Sequence, residues 1–318
     1  MIDNTIVSTH LGKTSEYKSQ YDPSLLVREP RQSNRVHLNI SDDNLPFIGT
    51  DTWNAYEISG LTNNGVPVTG VAKIVYPCTN KYIVESKSLK LYFNSFNMTK
   101  LGETSYDVQQ AIERRASEDL SKLLETDVLV TIFNVSKGGL SFQRSPRKTW
   151  WDDDVGPSKF YSIPVEYQTL EDTVSLTDLT VDKYTECADL LQVDTTGKES
   201  VEEEFLHSSL LKSNCRVTSQ PDFGDVFIYV KYNEKKLSSE SLLKYIISFR
   251  DECHFHEEIC ETIYTRLWNF LEPKELAVKC LYTRRGGIDI CPERVSNENL
   301  AHWELSTVTH MHTKTPRQ

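Results

Sequence analysis

Apolar positions fall into regular blocks only after residue 52. Trp53-Asn-Ala-Tyr-Glu-Ile-Ser reads as a strand and Val68 to Tyr76 as a second β-rich run. Between them Asn63-Asn-Gly gives a short hairpin signal. The run Tyr82 to Phe93 behaves differently. Its ends are apolar, but its centre, Glu85-Ser-Lys-Ser-Leu-Lys90, clusters polar residues instead of alternating as a surface strand would. Thr104 with Asp107 three residues later predicts a helix start. Val108, Ala111, Ile112, Leu120, Leu123 and Leu124 then form a helical stripe, and Asp127 to Phe133 closes the block as a strand.

A second block repeats this order. Leu211 to Gly224 reads as a strand, a Pro-Asp turn and the start of another strand, continued by Asp225-Val-Phe-Ile-Tyr-Val-Lys. Ser238 and Ser239 can cap a helix carrying Leu242, Tyr245, Ile246 and Phe249. Asp251 to Glu258 interrupts that stripe, which resumes with Ile259, Ile263, Leu267 and Phe270. Glu275 to Tyr282 is a strand ending in the polar glycine loop Thr283-Arg-Arg-Gly-Gly-Ile-Asp289. Strands, helices and strands therefore occur twice without βαβ alternation, which predicts an antiparallel α+β architecture in two similar halves.

The flanking stretches are less regular. Residues 1–50 form a polar extension in which turn residues argue against a helix. The predicted modules span residues 51–135 and 201–295. Residues 136–200 connect them, with the turn-rich Ser145 to Pro157. Glu202-Glu-Glu reads as a solvated helix start, and residues 296–318 as a loose tail.

Composition narrows the class. The 318 residues are 38% hydrophobic and 25% charged, which is a globular balance. No apolar run is long enough to span a bilayer, and the first residues lack a secretory pattern. Lys plus Arg is 35 against 46 Asp plus Glu, a net charge of −11, which argues against a broad nucleic-acid surface. The seven cysteines are odd in number and form no Cys-x-x-Cys pair, so free thiols in a reducing cytoplasm are expected.

Two residues stand out for chemistry. Cys215 lies among polar neighbours, and Asp222 follows seven residues later. A thiolate is a strong nucleophile, and a nearby carboxyl group could protonate what it attacks. His256 and Glu257 in the helix break can both face a pocket. Arg284-Arg-Gly-Gly suits phosphate as well as a plain turn. No Rossmann or Walker motif is present. Cys253-His-Phe-His256 makes a weak metal cluster with no partner of obvious spacing, and His310-x-His312 reads as inert, so no metal is assigned.

Taken together, Glu85-Ser-Lys-Ser-Leu-Lys-Leu-Tyr, Ser213-Asn-Cys-x-Val-Thr-x-Gln-Pro-Asp-Phe-Gly, Phe255-His-Glu and Tyr282-Thr-Arg-Arg-Gly-Gly-Ile-Asp resemble the NADPH-dependent 7-cyano-7-deazaguanine reductases. These are nitrile reductases of queuosine biosynthesis, related in fold to GTP cyclohydrolase I. Leu11-Gly-Lys, Tyr21-Asp-Pro-Ser-Leu-Leu and Asn44-Leu-Pro-Phe-x-Gly-Thr-Asp-x-Trp resemble the long, two-module form, and the likeness runs over residues 11–292. It implies tandem tunnelling-fold modules, with antiparallel sheets carrying helices on one face, and a homodimer. It implies Cys215 as the nucleophile forming a thioimidate and Asp222 as the acid. Val84, Glu85, Ser86, His256 and Glu257 would hold the substrate, 7-cyano-7-deazaguanine. Ser86, Lys87, Arg285 and Gly286 would bind NADPH. Three positions depart from the family pattern: Arg216 after the nucleophile, Phe223 in place of Trp, and Cys291-Pro-Glu-Arg in place of Asn-Pro-Trp-Arg. A zinc-dependent cyclohydrolase using Cys215 with His254 or His256, or a non-catalytic purine-binding paralogue, are the alternatives.

Overall fold

The computed structural model describes residues 17–134, 166–194, 202–309 and 311–318. Leu11-Gly-Lys, Ser145 to Pro157 and His310 lie outside the described residues. The first half contains β1 (Arg28–Pro30), the single turn α1 (Gln32–Arg35), β2 (Thr50–Thr62), β3 (Pro67–Pro77), β4 (Tyr82–Val84) and α2 (Ser86–Ser95). It continues with β5 (Lys100–Gly102), α3 (Ser105–Leu124) and β6 (Leu129–Asn134). Between the halves are β7 (Gln168–Thr169) and α4 (Leu170–Thr173). The second half contains β8 (Glu203–Ser208), β9 (Lys212–Cys215), β10 (Pro221–Lys231), α5 (Ser239–Ile247), β11 (Cys253–His254) and α6 (His256–Leu271). It closes with β12 (Glu275–Tyr282), β13 (Ile288–Val295) and the short α7 (Trp303–Ser306).

Eleven of these strands make one mixed, mostly antiparallel sheet. Its main path is β11-β9-β10-β12-β13-β2-β3-β6, with β8 also paired to β10. The two halves meet where β13 pairs with β2, Ile290 opposite Trp53. Alternation along the strands puts one set of side chains under the helices. Val226, Ile228 and Val278 pack with Leu242, Ile246 and Ile263 of α5 and α6. Ala72, Ile74 and Trp53 pack with Leu89, Phe93, Ile112 and Leu120 of α2 and α3. The expected capping box closes α3: the Thr104 hydroxyl accepts from Asp107 N–H, and Asp107 accepts from Thr104 N–H.

Five local expectations are corrected. Short helical turns do form in the N-terminal extension, at Pro23–Leu25 and Gln32–Leu38, because Asp22 accepts from Ser24 N–H and caps the first. The extension also buries charge. Arg31 bonds Asp51, and Arg35 bonds Glu261 at 2.7 and 2.8 Å. Arg294 spans the same two carboxylates at 2.8 Å each. The polar Glu85 cluster is a helix start, where Glu85 follows β4 directly and caps α2. The turn after Cys215 runs through Arg216–Gln220 with Ser219 at φ +55°, so Pro221 and Asp222 already belong to β10. Glu203 and Glu204 begin a strand, not a helix, because Phe205 and Leu206 extend the sheet beside Tyr229 and Ile228. The tail is not loose: Leu305, Met311, His312 and Thr315 are buried against the sheet face opposite the helices.

A thiol cleft at the junction of the two halves

The cleft lies over the β13–β2 seam, where the first turns of α2 and α6 converge. Val84, Glu85 and Ser86 line it from one side; Cys215, Arg216, Val217 and Asp222 line another. His254, Phe255, His256 and Glu257 come from the start of α6, Arg285 from the glycine turn, and Trp53 and Ile290 from the floor. Eight of the ten expected site residues therefore meet. Lys87 and Gly286 do not line the cleft: Lys87 follows Ser86 on α2, and Gly286 serves the turn that presents Arg285. In that turn Arg285 and Ile288 exchange both backbone hydrogen bonds, at 2.9 and 3.2 Å. Gly286 and Gly287 between them sit at φ +61° and +79°, the conformation a tight two-residue hairpin turn requires.

Cys215 ends β9 and is half-buried. Burial alone pushes its thiol up. The Thr218 hydroxyl, the Thr218 and Val217 N–H groups and Arg285 overcome it, and the thiol is held below its usual value. The turn thus forms a small nest of donors around sulfur. Arg285 also donates to Asp222 at 2.6 Å, and His256 Nε2 stands 3.3 Å from the other Asp222 oxygen. His256 is itself stacked on Tyr282 at 3.8 Å between centroids. One guanidinium therefore links the candidate nucleophile to the candidate acid.

The two glutamates differ. Glu85 accepts from Lys87 N–H at 3.0 Å and Ser88 N–H at 2.6 Å. Glu257 is buried, and its Oε1 has no hydrogen-bond partner. Burial pushes Glu257 up to about 8; Asp51 adds to this, and Arg31 and Arg294 oppose it. Other buried atoms on the cleft residues without a hydrogen bond are His254 Nδ1, His256 Nδ1 and Trp53 Nε1. Buried polar groups normally have partners, so a cluster of orphans facing one cleft calls for a ligand.

Sequence reasoning missed Trp53 and Ile290 as site residues and named His254 only as a ligand of the zinc-dependent alternative. Burial lowers the His254 pKa, but Glu252 at 2.7 Å and Glu258 at 2.8 Å raise it to about 9. The Glu258 contact is an ion pair without hydrogen-bond alignment. The only sequence signal was Glu252 two residues before His254 and Glu258 four after it. Arg216, noted as a departure, pairs with Glu258 at 3.2 Å and lies over the Phe255 ring at 5.2 Å. His254 is thus engaged by carboxylates, and Cys253 is exposed. Among the described residues, no metal-ligating group includes Cys215, His254 or His256.

A cleft that joins a donor-cradled thiol, a paired carboxylate and an unpartnered buried carboxyl oxygen brings together the kinds of group an enzyme site uses. The particular family follows from sequence. Residues 17–132 match the family described as "Nitrile reductase, 7-cyano-7-deazaguanine-reductase N-term", and residues 221–300 match "QueF-like protein". The NADPH-dependent 7-cyano-7-deazaguanine reductases of Rickettsia bellii strains OSU 85-389 and RML369-C are each 37% identical to this chain over 93% of it and 95% of their own length. The chain belongs to the 7-cyano-7-deazaguanine reductase family. A solved apo archaeosine synthase QueF-Like superposes with a TM-score of 0.28 at 18% identity, covering 30% of this chain and 95% of its own; a match that low supports no conclusion about fold.

Proposed function

We propose that this chain reduces the nitrile of 7-cyano-7-deazaguanine to an aminomethyl group with NADPH, in the cytoplasm, as a step toward queuosine. The observation that carries the reading is the meeting of Cys215, Asp222 and the open Glu257 Oε1 in one cleft. Each has a task there. Cys215 sulfur attacks the nitrile carbon and forms a thioimidate, which divides a hard reduction into easier steps. The nitrile nitrogen takes up a proton as sulfur adds, and Asp222 is the carboxyl group placed to give it. That role requires the Arg285–Asp222 bond to open. The Arg285 side chain is 40% exposed, so it has room to turn. Glu257 accepts from ring N–H and amino donors, which its buried oxygen otherwise lacks.

The residues around α2 fit a phosphorylated dinucleotide. Ser86 opens the helix, whose N-terminus favours anions. Arg285 stands on the cleft, Lys87 lies in the first turn of α2, and Lys90 lies beside Gly286. When bound, NADPH supplies hydride, twice for each nitrile. The repeated order of strands and helices favours tandem tunnelling-fold modules, and the seven free thiols favour a reducing compartment. The homodimer rests on the family likeness, and light scattering at twice the chain mass tests it.

Incubation with the nitrile and no cofactor, followed by intact mass measurement, tests the central step. The chain should gain the mass of one ligand, lost on denaturing thiol exchange. Cys215→Ala should remain folded and gain nothing, and Asp222→Asn should form the adduct more slowly. An adduct on Cys215→Ala, or an undiminished rate for Asp222→Asn, contradicts these roles.

A further inference from the structure

The sheet face turned away from the helices carries a second cluster that the reaction does not use. β13 points Asp289 and Cys291 to that face, and the C-terminal segment brings His312 over them. All three are buried. One ligand atom from each, an oxygen, a sulfur and a nitrogen, lies within 4.8 Å of the other two. Cys291 Sγ is 3.5 Å from His312 Nε2 and 3.6 Å from Asp289 Oδ1. Zinc bound tetrahedrally at its usual lengths, about 2.3 Å to sulfur and 2.0–2.2 Å to nitrogen or oxygen, separates such ligand atoms by about 3.5–3.6 Å. Both measured edges match that figure.

The surroundings also suit ligation. Asn54 and Tyr56 donate to the Asp289 oxygens at 2.5 and 2.6 Å, which orients the carboxylate as outer partners orient metal ligands. Two other donors reach the same three side chains. Lys314 Nζ lies 3.2 Å from His312 Nε2 and 2.9 Å from Asp289 Oδ2, the oxygen that Cys291 does not touch, and Gln318 Nε2 lies 3.1 Å from Cys291 Sγ. An ammonium and an amide thus already contact all three candidate ligands.

We propose that Asp289, Cys291 and His312 form a zinc site that fastens the C-terminal segment to the far face of the sheet, with the Lys314 ammonium competing for the same position. Binding forms three ligand bonds. Cys291 loses its proton to solvent, as metal-bound thiols do, and Lys314 swings outward. Thiolate and carboxylate then balance the two metal charges. The nitrogen, oxygen and sulfur donor set suits zinc or cobalt over magnesium or calcium. Cys291 stands at one of the three positions that depart from the family pattern, and its partner His312 comes from the stretch that sequence reasoning set aside.

Cobalt titration of the chelator-stripped, full-length chain tests this, because thiolate ligation to Co²⁺ shows as charge-transfer absorption. One equivalent should bind. The absorption should persist in Cys215→Ala and Cys253→Ser and vanish in Cys291→Ser. His312→Gln should weaken binding, and it carries the same test if Cys291→Ser proves unfolded by circular dichroism. Lys314→Met should tighten binding about tenfold or more, since it removes a positive charge from beside the metal. Absence of stoichiometric cobalt binding to the wild type, absorption that survives in both Cys291→Ser and His312→Gln, or unchanged affinity in Lys314→Met would overturn the site.

Discussion

The starts of α2 and α6 face the same cleft, and each brings a buried glutamate, yet the two glutamates do different work. At α2 one residue serves both purposes: Glu85 caps the helix with both oxygens and also lines the cleft. At α6 the duties are divided. Glu258 takes the Phe255 N–H at 3.4 Å and pairs with Arg216, while Glu257 keeps an oxygen without a partner. A helix N-terminus favours a carboxylate by about 0.3–1 kcal/mol. That does not decide the state of Glu257. Its rise from 4.5 to about 8 is worth several times more, at about 1.4 kcal/mol per unit. Burial and the neighbouring Asp51 win. The lesson is that two buried glutamates at helix starts need not be in the same state: Glu85 has both oxygens bonded by the backbone, while Glu257 keeps an oxygen without a partner.

The largest test of this contrast is the pH dependence of stability. Folded Glu257 keeps a proton that the unfolded chain releases above about 4.5. Its contribution is therefore intact at low pH and is lost as pH rises toward 8. Glu293, raised to about 7, acts with the same sign, so the difference between wild type and Glu257→Gln isolates Glu257. Urea midpoints should show wild type losing ground to Glu257→Gln between about pH 5 and 8, by up to ~1.4 kcal/mol per unit. A constant gap would mean that Glu257 is ionised in the folded protein.

Ligand binding sharpens the contrast next. Glu257→Gln should weaken the nitrile by roughly 1–3 kcal/mol, about 5- to 150-fold, because a mismatched buried group replaces a matched acceptor. NADPH affinity should change less. Calorimetry showing the opposite order would move Glu257 away from the substrate.

The smallest effect concerns α2. Glu85→Gln should cost about 1 kcal/mol of stability through the weakened cap. It should affect nitrile binding less than Glu257→Gln does. Thermal melts beside binding titrations separate the two. If Glu85→Gln abolishes binding and leaves stability unchanged, the cap is not its main role.

Much of the architecture could be read from periodicity. The β2–β3 hairpin at Asn63–Asn64, the α3 capping box and the strand–helix–strand order of the second half are local signals, and local propensity decided them. So were the identities of Cys215, Asp222 and Glu257 as candidates, because a thiol or carboxyl group among polar neighbours already stands out in one dimension. Other outcomes needed distant partners. Arg31 and Arg35 lie in the extension that reads as polar and irregular. They are buried because Asp51 and Glu261, from β2 and α6, supply the compensating charge. His254 carries a raised pKa because two glutamates close on it. The tail looked loose because its few apolar residues show no period, yet Leu305 and Met311 are buried against the sheet. His312 meets Cys291 only across that face, 21 residues away along the chain. Sequence alone determined which groups can do chemistry. Only the tertiary structure decided which are satisfied and which are left open, since burial and pairing depend on residues far apart along the chain.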